Sequence, residues 1–145
     1  MVDQSQGGFL ISQIKQIQGR IFEKLLSEAD IGDFNGAQGR ILYVLWQEDN
    51  LPIIELSKRT GLAKTTLTSM LDRMERQGHV LRNYDRQDRR QVKITLTERA
   101  KALNDAYNRV SAGMTEIFYT GFSDEEIVAF ENSLKKILEN LKERE

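Results

Sequence analysis

The sequence predicts a mainly α fold with a small β-hairpin, an α+β chain in which a compact central unit lies between longer helices at both ends. Three observations carry that prediction. Over most of the 145 residues, apolar side chains recur every three or four positions, the spacing of amphipathic helices. One stretch, HVLRNY followed by DRQDRR and QVKITL, changes to strand-like alternation at Val92, Ile94 and Leu96, which marks a hairpin. With 39% hydrophobic and 30% charged residues, the chain can bury one sizeable core. No apolar run approaches the roughly 18 residues of a membrane-crossing helix.

Residues 1–8, MVDQSQGG, are polar with paired glycines and are expected to fray. From Phe9, the apolar positions Leu10, Ile14, Ile17, Ile21 and Leu25 define an amphipathic helix ending near Glu28. SEADIGDFNGAQ reads as a loop, with Asn35 and Gln38 spaced as a capping pair. The next helix presents Ile41, Leu42, Leu45 and Trp46 to the core, and Tyr43 and Trp46 are read as structural aromatics.

Pro52 suits the first turn of a helix, where its missing N–H has no partner to lose. Ile53, Leu56, Ser57 and Thr60 then form a narrow inward stripe, and Gly61 is a natural left-handed stop. A second helix follows after a tight turn, with Leu67, Met70, Leu71 and Met74 facing inward and Gly78 ending it. Opposite that stripe lie Thr65, Ser69, Asp72 and Arg76, flanked by Thr66, Thr68 and Arg73. Short hydrogen-bonding side chains near a helix start reach base edges in a major groove without holding the backbone away. A merely solvated face would carry Glu and Lys in alternation.

The loop between the strands, Asp85 to Arg90, holds Arg86, Arg89 and Arg90. Nothing about folding requires three arginines at a hairpin tip. A narrow minor groove attracts them. Charge distribution agrees: although the net charge is −1, residues 58–93 contain ten basic and four acidic residues, and the remainder carries an excess of seven acidic ones. Screening confines each field to roughly 8 Å, so a basic face on an acidic body suits contact with phosphate from one side.

Beyond the hairpin, Thr97 caps a single long helix whose stripe is Leu103, Ala106, Tyr107, Val110, Met114, Ile117 and Phe118. Gly121 stops it. Ser123 and Glu126 form a capping box, with Phe122 and Ile127 as a hydrophobic staple. The last helix shows Ile127, Phe130, Leu134, Ile137, Leu138 and Leu141 on one face. These terminal stripes exceed what the central unit can cover, and burial contributes roughly 25 cal/mol per Å². They must therefore meet one another, either as a bundle within one chain or across a second copy. A two-fold dimer would set its reading helices about 34 to 36 Å apart, matched to a pseudo-palindromic duplex.

Catalysis finds no support. The chain lacks cysteine, has His79 as its only histidine, and contains no GxGxxG, GxxxxGK[ST] or HExxH motif. A zinc site of ordinary ligand type is not expected, and His79, at the turn into the hairpin, is read as packing or capping. Asp124 and Glu125 lie in a first helical turn, where the dipole favours negative charge. No catalytic residue, metal or cofactor is expected.

ELSKRTGLAKTTLTSMLDRMERQGHVLR together with YDRQDRRQVKITLT resembles the winged helix-turn-helix of the MarR family of transcriptional regulators, and length and helix order extend the resemblance over nearly the whole chain. The wing's Asp-x-Arg motif is here Asp88 and Arg90. The resemblance implies that Arg90 enters the minor groove while Asp88 pairs with Arg73. Ala100 stands where the family often has glycine, which strengthens the helix and changes no function. The expected DNA-binding residues are Lys64, Thr65, Thr66, Thr68, Ser69 and Arg73 on the recognition helix, and Arg86, Asp88, Arg89 and Arg90 on the wing. Residues 35–96 would form the DNA-binding domain, and 1–34 with 97–145 the dimerisation region. The implied function is a cytoplasmic homodimeric regulator, expected to be a repressor, acting on double-stranded DNA and modulated by a small-molecule effector. Ligand-pocket residues leave no motif. The alternative is a winged helix used for protein–protein contact.

Overall fold

In the computed structural model, which describes residues 3–34 and 36–145, seven helices surround a three-stranded sheet. α1 (Gly7–Glu28) is followed by a 3-10 turn (Gly32–Phe34), α2 (Gly36–Gln47), β1 (Leu51–Pro52), α3 (Ile53–Thr60) and α4 (Lys64–Arg76). Strands β2 (Val80–Tyr84) and β3 (Val92–Leu96) then lead to α5 (Glu98–Ala102), α6 (Asn104–Phe118) and α7 (Asp124–Lys142).

The central unit folds as its spacing dictates. In α3, Leu56 and Thr60 are buried and Gly61 ends the helix at φ 72°, a conformation that costs glycine nothing. In α4, Leu67, Leu71 and Met74 are buried, and Gly78 turns the chain at φ 82°. β2 and β3 pair antiparallel, with Val80 opposite Leu96 and Tyr84 opposite Val92. The sheet also has a third strand: Leu51 and Pro52 pair with Ile94 and Lys93, giving the order β1-β3-β2. Two residues are too few to show alternation. Pro52 ends that strand and serves as the N-cap of α3 rather than its first helical residue.

Between α1 and α2, the segment read as a loop carries two core side chains, Ile31 and Phe34. Asp30 turns the chain at φ 61°, and the Ile31 amide returns to the Leu26 carbonyl at 2.9 Å. The ring of Phe34 meets buried His79 edge-on at 4.8 Å, so His79 does pack. The expected Asn35–Gln38 cap lies outside the described residues. Trp46 is partly buried against the core, but Tyr43 is half exposed, which corrects its reading as a core aromatic.

The expected long helix after the hairpin is broken at Leu103. Thr97 caps α5 as foreseen, its Oγ1 accepting the Ala100 amide at 3.2 Å. The Ala100 carbonyl is then claimed by the indole N–H of Trp46 at 3.0 Å and the amide of Leu103 at 3.3 Å. That i−3 bond tightens the chain, and α6 starts anew at Asn104. Gly121, at φ 87°, follows the end of α6. The capping box at α7 closes both ways, Glu126 N to Ser123 Oγ at 3.2 Å and Ser123 N to Glu126 Oε1 at 3.0 Å. The Phe122 ring packs on Tyr119 and Phe130.

One continuous core joins α2, α3, α4 and the sheet to Leu26 of α1 and Tyr107 of α6. The outer ends differ. Leu10, Ile14 and Ile17 of α1 and Ile137, Leu138 and Leu141 of α7 stay exposed, and α7 buries no residue. Among the described residues, no helix is long and apolar enough to cross a membrane.

Candidate nucleic-acid interface

The N-terminus of α4 is electrostatically bare. Its N-cap is Ala63, which offers no side-chain acceptor, and no acidic residue occupies the first turn. Unsatisfied amides and the positive end of the helix dipole therefore face outward, an arrangement suited to phosphate. Lys64 adds a full charge beside them. Thr65, Thr66, Thr68, Ser69 and Arg73 are all exposed, as their positions predict. Thr68 Oγ1 donates to the Lys64 carbonyl at 2.8 Å. Its proton is spent within the helix, which leaves lone pairs free to accept from a base amine.

The wing tip is organised by its own two aspartates. Asp85 Oδ1 accepts the amides of Gln87 at 2.8 Å and Asp88 at 3.4 Å. These bonds, the one from Gln87 first, hold the Asp85 carboxyl below its ordinary value, with Lys93 adding a smaller electrostatic pull. Asp88 Oδ1 accepts the Arg90 amide at 3.0 Å and its Nε at 3.4 Å. Arg86, Asp88, Arg89 and Arg90 are exposed, the Arg90 side chain at 94%.

Here one expectation is corrected. Asp88 pairs with Arg90, two residues away in its own turn, and among the described residues no ion pair joins it to Arg73. A local pair closes at little entropic cost, whereas Arg73 would have to be reached across the gap between helix and wing.

The link between helix and wing is made by Arg82, which sequence reasoning missed. Its Nη2 lies 2.7 Å from Asp72 Oδ1 and its Nη1 3.0 Å from Glu75 Oε1. The signal was present: alternation in VLRNY places Arg82 on the inward face with Val80, and an inward arginine needs carboxylates. Asp72 and Glu75 supply them at i, i+3 on α4.

Lys64 and Arg90 border one cleft of about 660 Å³, floored by Pro52, Ile53 and Val92. The start of α4 and the wing therefore present cations to the same space. A second groove, about 640 Å³, runs between α1, α2 and α6, where Tyr43, Phe22 and Tyr107 meet Lys15, Arg20 and Arg40. Burial pushes the Tyr107 phenol up, with Tyr43 contributing less. Among the described residues, no cluster of His, Cys, Asp or Glu is arranged to hold a metal.

Comparison with known proteins identifies the family and the fold. The model of the MarR family matches residues 34–92. The HTH-type transcriptional regulator TtmR of Methylorubrum extorquens is 36% identical over 114 residues, 77% of this chain and 57% of TtmR. The uncharacterized HTH-type transcriptional regulator YsmB of Bacillus subtilis is 34% identical over 101 residues, 69% of this chain and 68% of YsmB. A mutant MarR of E. coli, solved in complex with operator DNA, matches with a TM-score of 0.82 at 27% identity, over 94% of this chain and 99% of that one. The chain thus spans little more than half the length of TtmR.

Proposed function

The chain belongs to the MarR family, and from that premise we propose that it is a sequence-specific DNA-binding transcriptional regulator, a repressor acting as a cytoplasmic homodimer on a pseudo-palindromic duplex. The observation that carries this reading is the shared cleft bordered by Lys64 and Arg90. Cations from both reading elements bear on one ligand, which a polyanionic duplex satisfies. Lys64, Arg86 and Arg89 take phosphates. Thr65, Thr66, Thr68 and Ser69 read base edges, with Arg73 on their flank. Arg90 enters the minor groove, steadied by Asp88. Residues 35–96 hold the duplex, while 1–34 and 97–145 join the two copies through the apolar faces that α1 and α7 leave uncovered.

The effector's place in this reading is the groove between α1, α2 and α6. Half-exposed Tyr43 and the cations Lys15, Arg20 and Arg40 line it with one carboxylate, Glu23, a combination whose net positive charge suits a small planar anion. Tyr107 forms part of its wall and lies 4.9 Å, ring to ring, from Trp46. An occupant should therefore change the fluorescence of the chain's single tryptophan.

The deciding experiment is duplex binding over a salt series, followed by selection from a random library. Binding to random duplex that weakens steeply with salt, and enrichment of a two-fold-symmetric site, support the proposal. Indifference to duplexes of every sequence at low salt overturns it.

A further inference from the structure

We infer that Arg82 sets the aim of the wing relative to the recognition helix, acting as a positioning residue for DNA recognition without touching DNA itself; this rests on the DNA-binding reading above. Among the described residues, Arg82 carries every side-chain hydrogen bond and ion pair between α4 and strands β2 and β3. Its guanidinium spans Asp72 and Glu75, two acceptors one turn apart, with a side chain only 18% exposed. A planar, multiply donating fork fixes direction as well as distance.

Glu75 does more than pair. While Oε1 takes the guanidinium at 3.0 Å, Oε2 accepts the Arg82 backbone amide at 3.3 Å. β2 is an edge strand, and such strands carry outward amides in search of a partner. The carboxylate of α4 therefore grips both the backbone and the side chain of the same wing residue.

The neighbouring positions show why this grip matters. Val80, the preceding inward residue of β2, is fully buried and fixes the hairpin's base. Tyr84, the next one toward the tip, is 66% exposed. The turn beyond it is bonded internally through Asp85 and Asp88 and, among the described residues, has no side-chain bond to α4. Beyond the apolar contact of Val92, opposite Tyr84, Arg82 is thus the last polar tie to α4 before the tip, which at about 3.3 Å per strand residue lies roughly 10 Å further out. A small swing at Arg82 is magnified at Arg90, which must find a groove only about 6 Å wide.

The test is a double-mutant cycle between Arg82→Ala and Arg90→Ala on the duplex selected by the wild-type protein, with chemical-denaturation midpoints for every variant. Alone, Arg90→Ala weakens binding about tenfold. In the Arg82→Ala background, where the wing is no longer aimed, the same change costs less than about twofold. Because Arg82→Ala could unfold the hairpin, the cycle is repeated with Glu75→Gln plus Asp72→Asn, which removes the charges and retains the volume. A separate readout uses the cysteine-free chain. Spin labels at Arg76→Cys and Gln87→Cys, diluted with unlabelled protein, should give a narrow distance distribution that broadens when Arg82 is replaced. Equal Arg90→Ala penalties in both backgrounds, with the distribution unchanged, overturn the inference and leave the DNA reading standing. A wild-type protein that binds no duplex overturns both.

Discussion

The indole N–H of Trp46 in α2 donates to the carbonyl of Ala100 in α5 at 3.0 Å, across fifty-four residues of chain. This bond ties α2 to the first turn after the hairpin. The same carbonyl receives Leu103 at an i−3 spacing, so one acceptor both anchors α5 and breaks the helix that follows. Tyr107, at 4.9 Å from the Trp46 ring, extends the contact into α6.

Trp46→Phe should keep most of the packing and lose the donor. The Ala100 carbonyl keeps the Leu103 amide, so the expected cost is about 0.5 to 1.5 kcal/mol, the net worth of one hydrogen bond. Urea unfolding followed by circular dichroism checks it. An unchanged midpoint would mean that the Ala100 carbonyl finds a substitute donor.

Gly39→Ala is the sharper stability test. A Cβ at Gly39 would collide with the Phe34 carbonyl oxygen and lie 3.1 Å from the Tyr107 hydroxyl. Backbone cannot retreat as a side-chain tip can, so a loss of about 1 to 3 kcal/mol is expected. Gly19→Ala is the control. It meets nothing within 4 Å, and in mid-helix it should be neutral or stabilising by up to about 1 kcal/mol.

Substitutions on the reading face should separate affinity from preference. Thr65→Ala and Ser69→Ala are expected to change which sequence is selected, by on the order of 1 to 3 kcal/mol per lost base contact. Lys64→Ala should instead weaken all duplexes alike and lower the log–log salt slope by about 1. Library selection and a salt titration distinguish the two behaviours, and a uniform loss from Thr65→Ala would remove it from base reading.

The wing turn should respond to acid in a known direction. Asp85 is held below its ordinary pKa of about 3.9 by the amides of Gln87 and Asp88. A depressed folded-state pKa means that the stabilisation is fully present above the unfolded value and is lost as pH falls through the lower folded one. The Gln87 amide resonance should therefore titrate below pH 3.9 and not near neutrality. In Asp85→Asn that titration should vanish.

Much of this architecture could be read before any coordinates, because its causes are local. Gly61, Gly78 and Gly121 mark turns that need positive φ, Thr97 and Ser123 mark caps, and the α4 stripe follows from spacing alone. What escaped was set by partners distant in sequence. β1 is two residues long and exists only because β3 lies beside it. Ile31 and Phe34 look like loop residues until a core closes over them. The break at Leu103 depends on an indole fifty-four positions before Ala100. At the candidate interface, exposed side chains were placed by periodicity. The Asp88 partner and Arg82 required the distance between helix and wing, which no spacing rule contains.

α7 runs for nineteen residues without a buried side chain. If a second copy supplies its cover, the ordering of that helix obeys mass action: diluting the protein should lower its melting temperature, with the C-terminal amides losing hydrogen-exchange protection first. Cellular abundance would then set how much of the population is in the paired form able to grip two half-sites, giving the regulator a dependence on its own quantity before any effector is present.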